Sequence, residues 1–382
     1  MKFLSRLHPL IISLIALTLN ISQAAELPKQ LNWTAYGTGS AGYNQSVAIG
    51  SALKNQLGVD LRVLPGKNDI SRQVPLRAGK VQFSATGVGA SFMAQEGVFE
   101  FGARDWGPQQ VRVLMASNGN SNLSVGAAAD AGIQTLADLK GKRVAWVVGS
   151  PSLNENVGAL LHFAGLSWND VQKVEFPGFG ASWDGIINDQ VDAAFASTTS
   201  GKAYQLEASP RGIIWPPLPH DDQEGWARLQ EVAPFFVPNN ATIGAGLSDD
   251  NPHEGAAYPY PILITYPDRD NALVYAMTKA MVDLYPDYKD AAPGINGWAL
   301  DRQIFDWVVP YHDGAIQYFK ELGVWSDAFQ QHNDELIRRQ QVLQDAWQAY
   351  SANAPDDDDA FLQGWLEARR AALQGADLNP IY

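Results

Sequence analysis

Residues 31–57 of the chain read LNWTAYGTGSAGYNQSVAIGSALKNQL, and this stretch decides the fold. The apolar run Leu31–Tyr36 predicts a strand, the spacing of apolar residues over Gln45–Leu57 predicts a helix, and a glycine-rich loop joins them. The pattern then repeats, with predicted strands over 60–64 and 81–85 and a predicted helix over 70–78. Such alternation is typical of a largely parallel sheet with helices on both faces.

A second α/β unit is predicted further along the chain. Its elements are expected at 136–139, 144–148, 154–163, 174–176, 183–188 and 193–196. The segment from Pro216 to Pro261 is rich in Pro, Asn, Asp and Gly, so we expect loops there as the chain returns toward the first unit. A helix is predicted over Asn271–Leu284, and apolar residues on one helical face from Asp327 onward predict a C-terminal helical extension. The sequence therefore predicts two similar α/β lobes and an extension.

The composition disfavours several kinds of function. Hydrophobic residues make up 46% and charged residues 18% of the 382 residues, which is typical of a folded chain of two or three domains. The 41 acidic against 27 basic residues give a net charge of −14, which would repel nucleic acid. The absence of cysteine removes thiolate nucleophiles, disulfides and Cys-ligated metals. Because the sequence has neither a G-x-S-x-G nor an H-E-x-x-H motif, we predict no catalytic residue, no metal and no cofactor.

The first residues have the layout of a signal peptide. Lys2 and Arg6 precede an apolar run from Leu10 to Ile21, which is shorter than the ~20 residues of a membrane-spanning helix. Small residues at Ser22 and Ala24 suit cleavage before Ala25. The alternative, a buried N-terminal helix, does not account for these flanks. We therefore expect residues 1–24 to be removed, the mature protein to be periplasmic without a membrane span, and any membrane connection to go through a partner.

Two glycine- and hydroxyl-containing loops are candidates for ligand binding. The loop Gly37–Gly42 matches G-x-G-x-x-G, but a dinucleotide site needs an acid at the end of the second strand, whereas Asp60 begins it. The broader interpretation is that the backbone approaches an anionic ligand at a helix start. A similar loop, Gly149–Asn154, follows a predicted strand of the second unit. Either loop alone would be an ordinary capped turn, whereas two together favour a ligand between two helix N-termini.

The candidate ligand-binding residues lie in and around these loops. Serine, threonine and asparagine would donate hydrogen bonds and aromatic rings would shape the pocket, although packing is an alternative role for each ring. The first unit contributes Thr38, Gly39, Ser40, Tyr43, Asn44 and Thr86, and the second contributes Ser150, Ser152, Asn154, Phe179, Trp183, Thr198 and Tyr258.

Several motifs, in their order, resemble one family of extracytoplasmic solute-binding proteins. They are Gly37-Thr38-Gly39, IQTLADLKGKRV at 133–144, DGIINDQVDAAF at 184–195, ALVYAMTKA at 272–280 and HDGAIQYF at 312–319. Together with the signal segment they resemble the TAXI family, the solute receptors of one branch of the tripartite ATP-independent periplasmic (TRAP) transporters. The resemblance covers roughly residues 31–325.

The resemblance implies a fold and a partner. The fold would be a two-lobed, type II-like periplasmic-binding-protein fold, with the cleft between the lobes. From the order of the predicted elements we expect lobe I to comprise 25–118 and 256–326, lobe II 119–255, and the helical extension 327–382. The protein would capture a small carboxylate-bearing solute, an organic acid or amino acid, and deliver it to a TRAP integral membrane subunit.

The chain departs from the family pattern at both loops, which leaves the solute open. The family's Tyr-Tyr-Pro after the first loop is replaced by Tyr43-Asn44-Gln45, and Ser-Gly-Thr in the second lobe by Ser150-Pro151-Ser152. The alternative function is a periplasmic enzyme acting on a small organic acid. A dinucleotide-dependent oxidoreductase is a remote third.

Overall fold

Two five-stranded sheets form the framework of the protein in a computed structural model, which describes residues 26–382. The segment predicted to be a signal peptide lies outside the described residues. The strands are Gln30–Tyr36 (β1), Asp60–Gly66 (β2), Phe83–Thr86 (β3), Arg112–Ala116 (β4), Leu123–Ala128 (β5), Arg143–Val147 (β6), Gln172–Phe176 (β7), Ala193–Ser197 (β8), Ile213–Ile214 (β9), Val237–Ala241 (β10), His253–Ala257 (β11) and Ile262–Thr265 (β12).

Helices cover both sheets and form the C-terminal extension. They are Ala41–Leu57 (α1), Asp69–Arg77 (α2), Ala94–Glu96 (α3), Pro151–Phe163 (α4), Phe179–Ile187 (α5), Gly201–Glu207 (α6), Gln223–Val232 (α7), Asn271–Asp283 (α8), Tyr285–Tyr288 (α9), Asp313–Glu321 (α10), Asp327–Ser351 (α11) and Asp358–Gly375 (α12). A π-helical turn, Gly89–Met93, precedes α3. Helix α1 begins four positions before the predicted start because the Ser40 side chain caps it, and α4 begins three positions early because Pro151 suits a first helical turn.

Each sheet mixes parallel and antiparallel pairs. Lobe I is built on the order β2-β1-β3-β12-β4, in which β12 runs antiparallel to both β3 and β4. Lobe II is built on β7-β6-β8-β5-β9, in which β5 runs antiparallel to β8. The prediction of largely parallel sheets was therefore wrong for β5 and β12, the strands by which the chain enters one lobe from the other. A strand that enters a sheet from the neighbouring lobe needs no helical crossover and is free to run the other way.

The chain passes between the lobes twice, and the two crossings lie side by side. The first follows β4, and the second leads from β11 into β12. Ser117 N–H donates to the carbonyl of Pro261 at 2.8 Å, and Tyr260 N–H donates to the carbonyl of Ser117 at 2.7 Å. These reciprocal bonds fasten the crossings to each other.

The segment 216–261, predicted as loops, contains helix α7 and the antiparallel pair β10-β11. Asp222 caps α7 by accepting a hydrogen bond from Gly225 N–H at 2.8 Å, and Trp226 and Leu229 are buried. The turn-forming residues of this segment thus lie between a short helix and two short strands, which the interpretation from composition overlooked.

The extension packs on lobe I through a buried charge cluster and a tryptophan. Trp365 Nε1 donates to the carbonyl of Gly97 at 2.6 Å. Glu96 accepts hydrogen bonds from Arg339 on α11 and Arg369 on α12, and all three side chains are buried. Burial alone would raise the pKa of Glu96, but the hydrogen bonds and charges of the two guanidinium groups bring it below its usual value. Within residues 26–382, no helix combines the length and apolar character needed to cross a membrane.

Candidate functional site

A small cavity lies where the two sheets face each other, with walls from both lobes. Its volume is about 20 Å³, which holds about one water molecule and is far below that of a small-molecule site. The hydroxyl-bearing residues that line it are Tyr36, Ser40, Ser152, Ser197, Ser200, Tyr258 and Tyr260. The apolar residues that line it are Ala41, Leu123, Leu153, Phe179, Phe195 and Ala196. Among the described residues that line this cavity, none has a charged side chain.

One end of the cavity is formed by the start of α1 and the start of α6. Ser40 caps α1 by accepting a hydrogen bond from Tyr43 N–H at 3.1 Å. The carbonyl of Gly39 accepts bonds from Ser200 Oγ at 3.3 Å and Lys202 N–H at 3.2 Å across the cleft. Gly39 has a φ of 87°, in the left-handed region that favours glycine, and this conformation turns the chain into α1. The first predicted loop therefore faces the β8-α6 loop of lobe II.

At the other end, the second predicted loop faces the start of α2. The Asp69 carboxylate Oδ2 accepts hydrogen bonds from Ser152 N–H at 2.9 Å, Ser152 Oγ at 2.6 Å and Ser150 Oγ at 3.2 Å. Asn68 Nδ2 also donates to the carbonyl of Val148 at 3.0 Å. Ser150 and Ser152 were predicted to donate to a solute; in this structure their hydroxyls bind a carboxylate of lobe I instead. Ser40 and Ser152, one from each predicted loop, both line the cavity.

Three tyrosines surround the middle of the cavity. Tyr36 Oη lies 3.1 Å from Ser152 Oγ, and its ring makes edge contact with that of Tyr260 at a centroid distance of 5.6 Å. Tyr258 Oη accepts a hydrogen bond from Asn156 Nδ2 at 2.7 Å. Burial raises the pKa of all three phenols, so they stay protonated at neutral pH and keep a hydrogen to donate.

The structure brings only some of the predicted residues to the cavity. Of the described residues, Ser40, Ser152, Phe179 and Tyr258 line it. Thr38 is exposed at the loop, and Tyr43 lies in an outer groove of lobe I with Val47 and Asp60. Asn44 lies beside Gly201 near the start of α6, and Thr86 is buried in β3, where it pairs with Ile262.

The remaining predicted residues stabilise the surroundings of the cavity. Asn154 closes its own loop, because its side chain bonds both N–H and carbonyl of Val147 at 2.8 and 2.9 Å. Thr198 Oγ1 donates to the carbonyl of Ile243 at 2.9 Å. Trp183 is 0% exposed and its Nε1 donates to the carbonyl of Phe195 at 3.2 Å, so it supports the wall from behind.

The candidate residues predicted from the sequence did not include Tyr36, Tyr260, Ser197, Ser200 or Asp69. Tyr36 and Ser197 are the last residues of β1 and β8, and Ser200 caps α6, so their places at strand ends and helix starts were available signals. Asp69 gave no signal beyond its place at the start of a helix, where an acid is ordinary.

Two α/β lobes joined by two crossings, with a cavity between them and a helical C-terminal region, make up the two-lobed α/β fold that the sequence predicts. The chain belongs to the NMT1-like family, whose model matches residues 34–323. No curated protein matches the sequence.

Solved structures with similarity to the chain have low sequence identity to it. One is an ancestral arginine-binding protein bound to arginine, at 16% identity and TM-score 0.42, covering 69% of this chain and 95% of that one. Another is the alkanesulfonate-binding protein SsuA from Xanthomonas axonopodis pv. citri bound to MOPS, at 15% identity and TM-score 0.45, covering 85% and 94%. A protein from Bordetella bronchiseptica RB50 matches at 17% identity and TM-score 0.46, covering 92% and 98%.

Proposed function

We propose that this protein is a periplasmic solute receptor that closes around one small molecule and delivers it to the integral membrane subunit of a TRAP transporter. The observation that carries the receptor role is the cavity of about 20 Å³, whose walls come from both lobes. Opening of the lobes would widen it to admit a solute, and closure would enclose that solute. The TRAP partnership is supported by the resemblance of the sequence motifs to the TAXI family. The periplasmic location is supported by the layout of residues 1–24.

The lining favours binding over catalysis. Hydroxyls and aromatic rings orient a solute and exclude water, whereas acid–base chemistry needs a group that changes protonation near neutral pH. In the described part of the chain, the cavity wall contains no histidine, lysine, aspartate or glutamate, and burial keeps its phenols protonated. The wall therefore supports a receptor more directly than an enzyme.

The α1 end of the cavity suits an anionic group of the solute. The N-terminus of α1 carries a partial positive charge, and the hydroxyls of Ser40, Ser197 and Ser200 lie around it. The net charge of −14 does not oppose this, because distant surface charges are screened beyond ~8 Å at physiological salt. Phe179 and Phe195 would enclose the apolar part of the molecule. We therefore propose a small organic acid or amino acid, bound by its carboxylate at this end.

We further propose the lobe boundaries expected from the sequence, except that lobe II, expected over 119–255, extends to Ala257 at the end of β11, and the chain then returns to lobe I up to residue 326. The place of β12 within the lobe I sheet supports the second boundary. The hydrogen bonds of the Asn122 side chain to Asn239 and His253 support the assignment of β10 and β11 to lobe II.

A thermal-shift screen of the mature protein against organic acids and amino acids tests the proposal. We expect at least one compound to raise the melting temperature without being consumed. The variant Ser197→Ala removes a cavity hydroxyl and should weaken binding of that compound about 2- to 10-fold, the worth of one hydrogen bond. Ser51→Ala, on the exposed face of α1, is the matched control and should leave affinity unchanged. Turnover of the compound, or equal affinities for both variants and the unmodified protein, would contradict the proposal.

A further inference from the structure

Asp69 of lobe I accepts several hydrogen bonds from lobe II. Its Oδ2 binds the Ser150 and Ser152 donors at the start of α4, and its Oδ1 pairs with Arg72 one turn further along α2. Tyr36 Oη donates to Oδ1 at 3.4 Å. A lobe I carboxylate thus sits at the N-terminus of a lobe II helix, where a helix of thirteen residues binds an anion well.

The surroundings of Asp69 resemble a ligand site more than a surface ion pair. The side chains of Asp69 and Arg72 are both 0% exposed. Arg72 stacks on the Tyr36 ring, with Cζ 3.3 Å from its centroid, and among the described residues its Nε and Nη1 have no hydrogen-bond partner. A buried guanidinium with two unused donors is costly, so this pocket holds more donor capacity for an anion than Asp69 uses.

Close approach of the lobes at this point depends on Gly89 in the π-helical turn of lobe I. A Cβ on Gly89 would lie 2.3 Å from Asp69 Oδ2 and 2.8 Å from Ser152 Cβ. The carboxylate is therefore held in a space that fits it and its lobe II partners without room for another side chain.

We infer that Asp69 is an internal substitute for a solute anion. Its carboxylate occupies the anion position at the start of α4 and holds the two lobes together before any solute is bound. The inference concerns the same cleft as the proposed function and deepens it: the solute presents a neutral group to Ser152 and keeps its anionic group for the α1 end. Asp69 is accordingly a specificity-determining residue of the cleft, because it excludes a second solute anion.

The separation of the lobes can be measured without knowing the solute. The chain has no cysteine, so Arg62→Cys and Glu175→Cys give two labelling sites for fluorescence energy transfer, exposed on the edge strands β2 and β7. We expect high transfer efficiency in this protein without added solute. Asp69→Ala should lower the efficiency by shifting molecules to an open form, and Asp60→Ala, which removes an exposed carboxylate of lobe I, should not.

Chemical rescue separates an anion site from a general loss of packing. In Asp69→Ala the start of α4 and Arg72 are left without their carboxylate, so sodium formate at millimolar concentration should restore transfer efficiency and raise the melting temperature. Sodium chloride at equal ionic strength should do neither, and formate should not affect the protein with Asp69 intact.

A second variant covers the case in which Asp69→Ala does not fold. Ser150→Ala/Ser152→Ala keeps the Asp69–Arg72 pair and removes both hydroxyl donors, and it should also lower the efficiency. Unchanged efficiency in this double variant, or a folded Asp69→Ala that stays closed or ignores formate, would overturn the inference. A failed solute screen would count against the proposed function and leave these measurements intact, so the two failures are distinguishable.

Discussion

Replacing Glu96 by alanine tests how the helical extension is attached to lobe I. Glu96 is fully buried, and its Oε1 and Oε2 accept hydrogen bonds from Arg339 Nε at 2.8 Å and Nη2 at 2.7 Å. Oε2 also accepts from Arg369, whose Nε donates to the Glu96 backbone carbonyl at 3.0 Å. The Glu96→Ala change removes the carboxylate that pairs with both buried guanidinium groups.

The expected loss of stability is large because the arginines stay behind. Breaking a buried ion pair from one side leaves an uncompensated charge and costs about 3–5 kcal/mol, and the side chains of Arg339 and Arg369 are only 9% and 0% exposed. The triple change of Glu96, Arg339 and Arg369 to methionine removes all three charges and should cost far less than Glu96→Ala. Since the pKa of Glu96 is below its usual value of 4.5 in the fold, the stabilisation is present above that pH and is lost as pH falls through the lowered pKa.

Urea unfolding followed by circular dichroism measures the free-energy change, and hydrogen exchange of α11 and α12 shows where the structure loosens. Glu335→Ala on the exposed face of α11 is the control and should change stability by less than about 0.5 kcal/mol. A loss under about 1 kcal/mol for Glu96→Ala, or a triple variant as unstable as the single one, would refute the reasoning.

Two further predictions concern a buried and a half-buried side chain of lobe II. Trp183→Ala should lower the free energy of unfolding by about 3–5 kcal/mol in urea titrations, because the ring is fully buried behind the cavity wall. Unchanged stability together with weaker solute binding would instead show that Trp183 belongs to the cavity wall. Glu155→Gln should raise the melting temperature at pH 8 and change it little at pH 4. Burial, followed by the charge of Glu100, raises the pKa of Glu155 to about 7. The folded protein therefore binds this proton more tightly than the unfolded chain does, and it loses stability as pH rises from 4.5 to 7. Equal effects of the substitution at both pH values would contradict this sign.

The α/β architecture was predictable because its signals are local. The run Leu31–Tyr36, the glycine loop and the helix after it could be identified from apolar spacing and turn chemistry, and β1 and α1 confirm them. The antiparallel course of β5 and β12 was not predictable in this way. It depends on how the chain re-enters a sheet from the other lobe, which no local pattern records.

The candidate site could be located from the sequence more readily than its contacts could. Loops after strands were expected to line a cleft, and Ser40 and Ser152 do lie in its wall. What each loop meets across the cleft depends on the approach of the two lobes. Ser152 therefore binds Asp69, a residue 83 positions away in the sequence, and no spacing rule connects the two.

The paired crossings at Ser117 and Tyr260 set the mechanics of the cleft. Because the two crossings are hydrogen-bonded to each other, any rotation of one lobe against the other would have to bend both crossings at the same place. The strands β2 and β7 lie at the edges of their sheets, so a small rotation at the crossings would become a large displacement at these outer edges. Fluorescent labels on β2 and β7 would therefore report a larger change in distance than labels placed near β4 or β5.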